Sequence, residues 1–89
     1  METLKEVFLK KYPQYGKVLR VYEEVNEVEC AFDSITKPRL YNFVQALNER
    51  VATNSAKTYC AMLKSILNLY SDMYPFPKGF EAILTLKKD

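Results

Sequence analysis

Apolar residues recur along this chain at three- and four-residue steps, the spacing of helices with one buried face. The strongest pattern lies in residues 54–70, NSAKTYCAMLKSILNLY. Tyr59, Met62, Leu63, Ile66, Leu67, Tyr70 and, just beyond, Met73 form the stripe of an amphipathic helix long enough to be the spine of a small bundle. Ser55 stands where an N-cap belongs, its hydroxyl placed to accept from the backbone N–H near Thr58. The opposite face holds Lys57, Ala61, Lys64 and Asn68 and meets no acid until Asp72. A buried face opposite a basic one describes a helix that packs on a core and turns its back to a polyanion.

The rest of the chain divides into shorter elements. Residues 3–11 predict a first helix, with Leu4, Val7, Phe8 and Lys11 on one side, Thr3 as cap and Glu6 at the capping-box position. Tyr12-Pro13 ends it. Pro13 suits the first turn of a second helix, which the spacing extends to about Glu29 through Tyr15, Val18, Leu19, Tyr22, Val25, Asn26 and Val28. Residues 30–35 read as a loop pinned by Phe32 and Ile35. Thr36 caps a third helix from Lys37 to about Arg50, with Leu40, Phe43, Val44, Leu47 and Val51 on one face and Pro38 in the first turn. The Ala52-Thr53-Asn54 connection is short, so the third helix and the spine are neighbours. The spine ends near Met73, at a breaker-rich stretch from Tyr74 to Gly79. Phe80, Ile83, Leu84 and Leu86 supply one more apolar turn. The expected organisation is one domain over residues 1–77, then the start of a linker, 78–89, to a further domain.

Charge refines this picture. The formal net charge is only +2, but it is uneven. Residues 1–35 carry five basic and seven acidic side chains, residues 36–72 five and two, and residues 73–89 three and two. The positive segment contains the spine, as nucleic-acid binding would require. In the second helix, Lys17 and Arg20 lie near the start while Glu23, Glu24, Glu27 and Glu29 crowd the end. The helix dipole favours the reverse order. Either another interaction holds the cations there, or (i, i+4) pairs such as Arg20–Glu24 offset the dipole.

The chemistry is sparse. With no His and no CxxC spacing, Cys30 and Cys60 read as free thiols of a reducing compartment, and no metal or other cofactor is expected. No apolar run reaches the length of a membrane span, and an N-terminus with Glu2 and Glu6 is unlike a signal peptide. The expected location is cytoplasmic.

The residues Ile35-Thr36, Leu40, Phe43 and Leu47, then Asn54-Ser55-x-x-Thr58-Tyr59-x-x-x-Leu63-Lys64-x-Ile66-Leu67, then Pro75 and Pro77, resemble the core-binding domain of tyrosine recombinases, the phage-type integrases. The resemblance runs in order over about residues 1–80, with its diagnostic letters in 35–77. It implies an all-α fold, a SAM-like orthogonal bundle of four to five helices forming one jaw of a clamp on double-stranded DNA. It further implies that the helix over 55–73, and the start of the one over 14–29, face the DNA. In the family a downstream catalytic domain carries an Arg, Lys, His-x-x-Arg and Tyr set that forms a 3′-phosphotyrosyl intermediate. That set is absent here, so this chain is not expected to be an enzyme by itself. The family acts as tetramers on DNA; the isolated chain is expected to be a monomer. The acidity of the second helix and its Gly16-Lys17 start depart from the family pattern.

The expected DNA contacts are Lys17, Arg20, Asn54, Ser55, Lys57, Thr58, Lys64 and Asn68. Residues 55–58 occupy a first helical turn whose backbone N–H groups are a ready anion site. Lys64 would meet phosphate or guanine, Asn68 is able to read adenine, and Ala61 permits close approach. Capping and a solvated face are the plain alternative. The seven Tyr and five Phe sit mostly on apolar faces or beside prolines, as core rather than as a base-stacking platform. No Arg or His cluster exists to activate a tyrosine. The acidic end of the second helix lacks metal-ligand spacing and reads as a solvated or domain-facing surface. A different class of function also fits: a small helical protein-interaction module using that acidic helix and exposed aromatics.

Overall fold

The computed structural model describes residues 3–85, and five α-helices account for most of them. Helix α1, Leu4–Lys11, begins as expected. The Thr3 hydroxyl accepts from the Glu6 N–H at 3.2 Å, and Leu4 and Phe8 are buried. Helix α2 is shorter than its apolar pattern, Gly16–Asn26 rather than Pro13–Glu29. Its start is delayed because Tyr12–Tyr15 form a turn, closed by the Tyr15 N–H on the Tyr12 carbonyl at 3.1 Å. Its end comes early because Glu27 is left-handed, φ 53°, with its N–H on the Glu23 carbonyl at 2.9 Å.

Residues 30–35 hold a 3₁₀ turn, Phe32–Ser34, and both expected anchors, Phe32 and Ile35, are buried. Ser34 organises the turn by accepting from the Ala31 N–H and donating to the Glu29 carbonyl at 2.8 Å. Buried Tyr22 donates to the Ser34 carbonyl at 3.1 Å, and Arg39 donates to the same oxygen at 2.7 Å. Burial pushes the Tyr22 hydroxyl up to about 12. Helix α3, Lys37–Arg50, has the expected bounds and its Thr36 cap, and buries Leu40, Phe43, Ala46 and Leu47.

Helix α4, Thr53–Leu69, is the spine, but both ends move. Ser55 is not its cap. Ala52 is, without a side-chain bond, and the Ala56 N–H reaches the Ala52 carbonyl at 2.9 Å. The earlier start adds a turn whose closing N–H, that of Ala56, is satisfied by backbone instead of by a serine side chain, and Ala56 and Cys60 lie in the core on one stripe with Leu63, Ile66 and Leu67. At the other end, Phe32 stacks near Tyr70 and Tyr74, with centroids 4.6 and 4.7 Å away, and the chain turns to follow it. Met73 therefore lies outside the helix and is 68% exposed.

Phe76 continues this aromatic run to Phe80, with centroids 5.7 Å apart. Helix α5, Phe80–Ile83, then packs on α3. Phe80 and Leu84 are buried, so the stretch expected to open a linker contributes to the core. Leu86 lies outside the described residues. The molecule is an all-α bundle in which α2 packs mainly on α3, and α1 lies against α2 and α4. Among the described residues no helix is long and apolar enough to cross a membrane.

Candidate nucleic-acid interface

Helix α4 carries no carboxylate along its whole length. With the core stripe fixed, about 100° per residue assigns the rest of its surface. Asn54, Thr58, Ala61, Ser65 and Asn68 form an outward strip roughly 21 Å long by helical rise. All are exposed except Ser65, which is half-buried. These side chains are small, so a ligand backbone could approach the helix closely. Thr58 satisfies its own hydroxyl by donating to the Asn54 carbonyl at 3.0 Å.

Cations flank both edges of the strip. On one edge, the Lys17 ammonium sits 5.7 Å from the Tyr59 ring centroid, and Tyr59 meets Tyr15 at 5.9 Å. This contact brings the start of α2 to the start of α4. Tyr15, Asn54, Ser55, Thr58 and Tyr59 line a depression of about 230 Å³ there. Further along, Lys11 donates to the Ser65 hydroxyl at 3.0 Å. On the other edge run Lys57 and Lys64, both half-buried; Lys64 donates to the Thr85 hydroxyl at 3.1 Å.

The sequence-expected residues thus do not share one face. Lys17, Asn54, Ser55 and Thr58 gather at the junction of α2 and α4. Lys57, Lys64 and Asn68 lie together, but Lys57 and Lys64 are on the far side of the helix from Ser55, so they do not extend its first-turn cluster. Arg20 is not brought to α4; it lies against α1, in a depression lined by Lys5, Leu9 and Glu23. Lys11 joins this candidate surface without being among the sequence-expected contacts. Its only sequence signal is the Lys10-Lys11 pair at the end of α1, since its partner Ser65 is 54 residues away.

Two of the four glutamates of the second helix are structural. Glu23 accepts from Lys5 at 2.7 Å and from the Cys30 N–H at 3.0 Å, tying α1 to the loop after α2. Burial alone would raise its carboxyl, but the Lys5 ammonium and the Cys30 N–H outweigh that and hold it below the usual range. Glu24 pairs with Arg50 at 2.7 Å, not with Arg20, and ties α2 to the end of α3. Asn26 bridges the same two helices, donating to the Tyr22 and Arg39 carbonyls. Glu27 and Glu29 remain exposed.

Cys30 and Cys60 are buried free thiols, and burial pushes Cys60 up to about 12 and Cys30 higher still. A thiol held protonated is a poor nucleophile. Among the described residues no group of three or more His, Cys, Asp or Glu could hold a metal ion.

No protein-family model, curated protein or solved structure matches the chain. The fold and this surface define a small all-α bundle with an acid-free helical face edged by lysines.

Proposed function

We propose that this chain is the DNA-binding module of a site-specific tyrosine recombinase, holding one arm of a recombination core site while a separate catalytic domain cuts the strand. One observation carries the reading: the small-residue strip of α4, flanked by Lys11, Lys17, Lys57 and Lys64 and free of carboxylate. A polyanion laid along that strip meets cations on both sides, and the Asn54 and Ser55 N–H groups of an acid-free first turn. The order of motifs over residues 35–77 supports the recombinase assignment within the wider class of DNA binders. Lys57 and Lys17 are the principal phosphate contacts on this reading, Thr58 and Asn68 lie over the groove edge, and Arg20 is peripheral.

Affinity on this reading comes from phosphate contacts, with weak sequence discrimination. The test is fluorescence anisotropy with a labelled duplex over a range of salt. Four lysine contacts predict a log–log slope of about −3 to −4. A slope near zero, or no binding at low salt, would overturn the proposal.

A further inference from the structure

A second surface lies away from the α4 strip, between α3 and α5. Lys37, Tyr41 and Val44 form its α3 wall, spaced so that they share one stripe of that helix. Lys78, Ala82 and Ile83 form the other wall. The groove encloses about 300 Å³, room for one large apolar side chain.

Three features set it apart from an ordinary crease between helices. Its floor is apolar, with Val44 and Ile83 half-buried, and Tyr41 stands 59% exposed above it. Each lip carries a lysine, no carboxylate lines the groove, and neither lysine is ion-paired among the described residues. Its walls are also fixed. Phe80 and Leu84 bury one side of α5, and the Phe80 N–H closes the preceding turn on the Pro77 carbonyl at 3.2 Å. Gly79, which also lines the groove, takes φ +83° in that turn, a conformation disfavoured for residues with a Cβ.

We infer that this groove binds a short acidic peptide segment of a protein partner, seating one apolar anchor between α3 and α5 and its carboxylates on Lys37 and Lys78. Charge complementarity selects this occupant. An uncharged apolar segment leaves both lysines unanswered, and a basic one meets like charge on both lips. The anchor supplies affinity by burial, while the lysines set orientation and exclude basic competitors. This inference does not rest on DNA binding, because the groove shares no residue with the α4 strip.

The experiment is an amide NMR titration of the whole chain with the blocked hexapeptide EELFEE, and with KKLFKK as control. The expected result is saturable shifts at Tyr41, Val44, Gly79 and Ala82 with EELFEE and none with KKLFKK. Lys37→Glu with Lys78→Glu should weaken binding about tenfold or more while leaving the rest of the spectrum in place. Both lysines are exposed, so this variant should fold. Tyr41→Ala provides an independent check by removing the apolar lip without changing charge, and it too should weaken binding. Equal shifts with both peptides, shifts confined to α4, or binding indifferent to both variants would overturn the inference. So would groove shifts produced by duplex DNA in place of the peptide, or shifts at the groove and at Glu27–Glu29 that vanish on dilution, the sign of a second copy of this chain.

Discussion

Tyr15 and Tyr59 meet ring to ring, with centroids 5.9 Å apart and planes tilted by 58°, and Lys17 lies over the second ring at 5.7 Å. The pair closes the gap between the starts of α2 and α4, and so sets where one lysine of the proposed interface stands. It predicts coupling. In a double-mutant cycle of Tyr15→Leu and Tyr59→Leu, followed by urea denaturation, the two costs should fall short of additivity by about 1 kcal/mol. Strict additivity would mean that the rings do not stabilise one another.

The Glu23 carboxylate, held by Lys5 and the Cys30 N–H, makes stability depend on acid pH. Its folded pKa is depressed, so the unfolded chain binds the proton more tightly. The contribution is complete above the unfolded value of about 4.3 and is lost as pH falls through the folded one. Glu23→Gln should cost about 1 kcal/mol at neutral pH. It should also flatten the fall in melting temperature below about pH 4. Thermal unfolding of both proteins from pH 7 to 2.5 checks this; parallel curves would contradict it.

Glu27 ends α2 with φ 53°, the one described non-glycine residue at positive φ. A residue with a Cβ is strained there, and a carboxylate at a helix C-terminus faces the negative end of the dipole. Glu27→Gly relieves both, against the greater freedom glycine gives the unfolded chain. The expected net gain is about 0.5 kcal/mol, read as a higher urea midpoint with an unchanged slope. A loss of stability would mean that the Glu27 side chain has a partner in solution.

What could be read from the sequence was local. Thr3 and Thr36 each cap a helix three residues before the N–H they accept, so the starts of α1 and α3 follow from nearest neighbours. The bounds of α3 followed too, because Pro38 and a regular apolar stripe agree. The start of α4 did not. Ser55 is the better local cap, but the helix continues past it to Thr53, and the Ala56 N–H is satisfied by the Ala52 carbonyl instead of by a side chain. The large residues Tyr59 and Met62 of the apolar stripe are only half-buried, whereas the small Ala56 and Cys60 are wholly in the core. Pairings across long separations were also hidden. Glu24 chooses Arg50, 26 residues on, over Arg20 on its own helix. Lys11 reaches Ser65 on α4 because α1 folds against that helix. The lysines of α4 were visible; the division of its polar surface into a strip with two edges needed the core to be known.

The central claim is that α4 presents its strip to duplex DNA. The most direct measurement is an amide NMR titration of the chain with a short duplex at low salt, repeated with Lys17→Glu and Lys57→Glu combined. The account predicts shifts concentrated at Asn54, Thr58, Ala61, Ser65 and Asn68 and spreading to Lys17 and Lys11. These should reverse on adding salt and be lost in the double variant, whose spectrum otherwise keeps its dispersion. Shifts that avoid α4, or binding that survives both charge reversals, would contradict it.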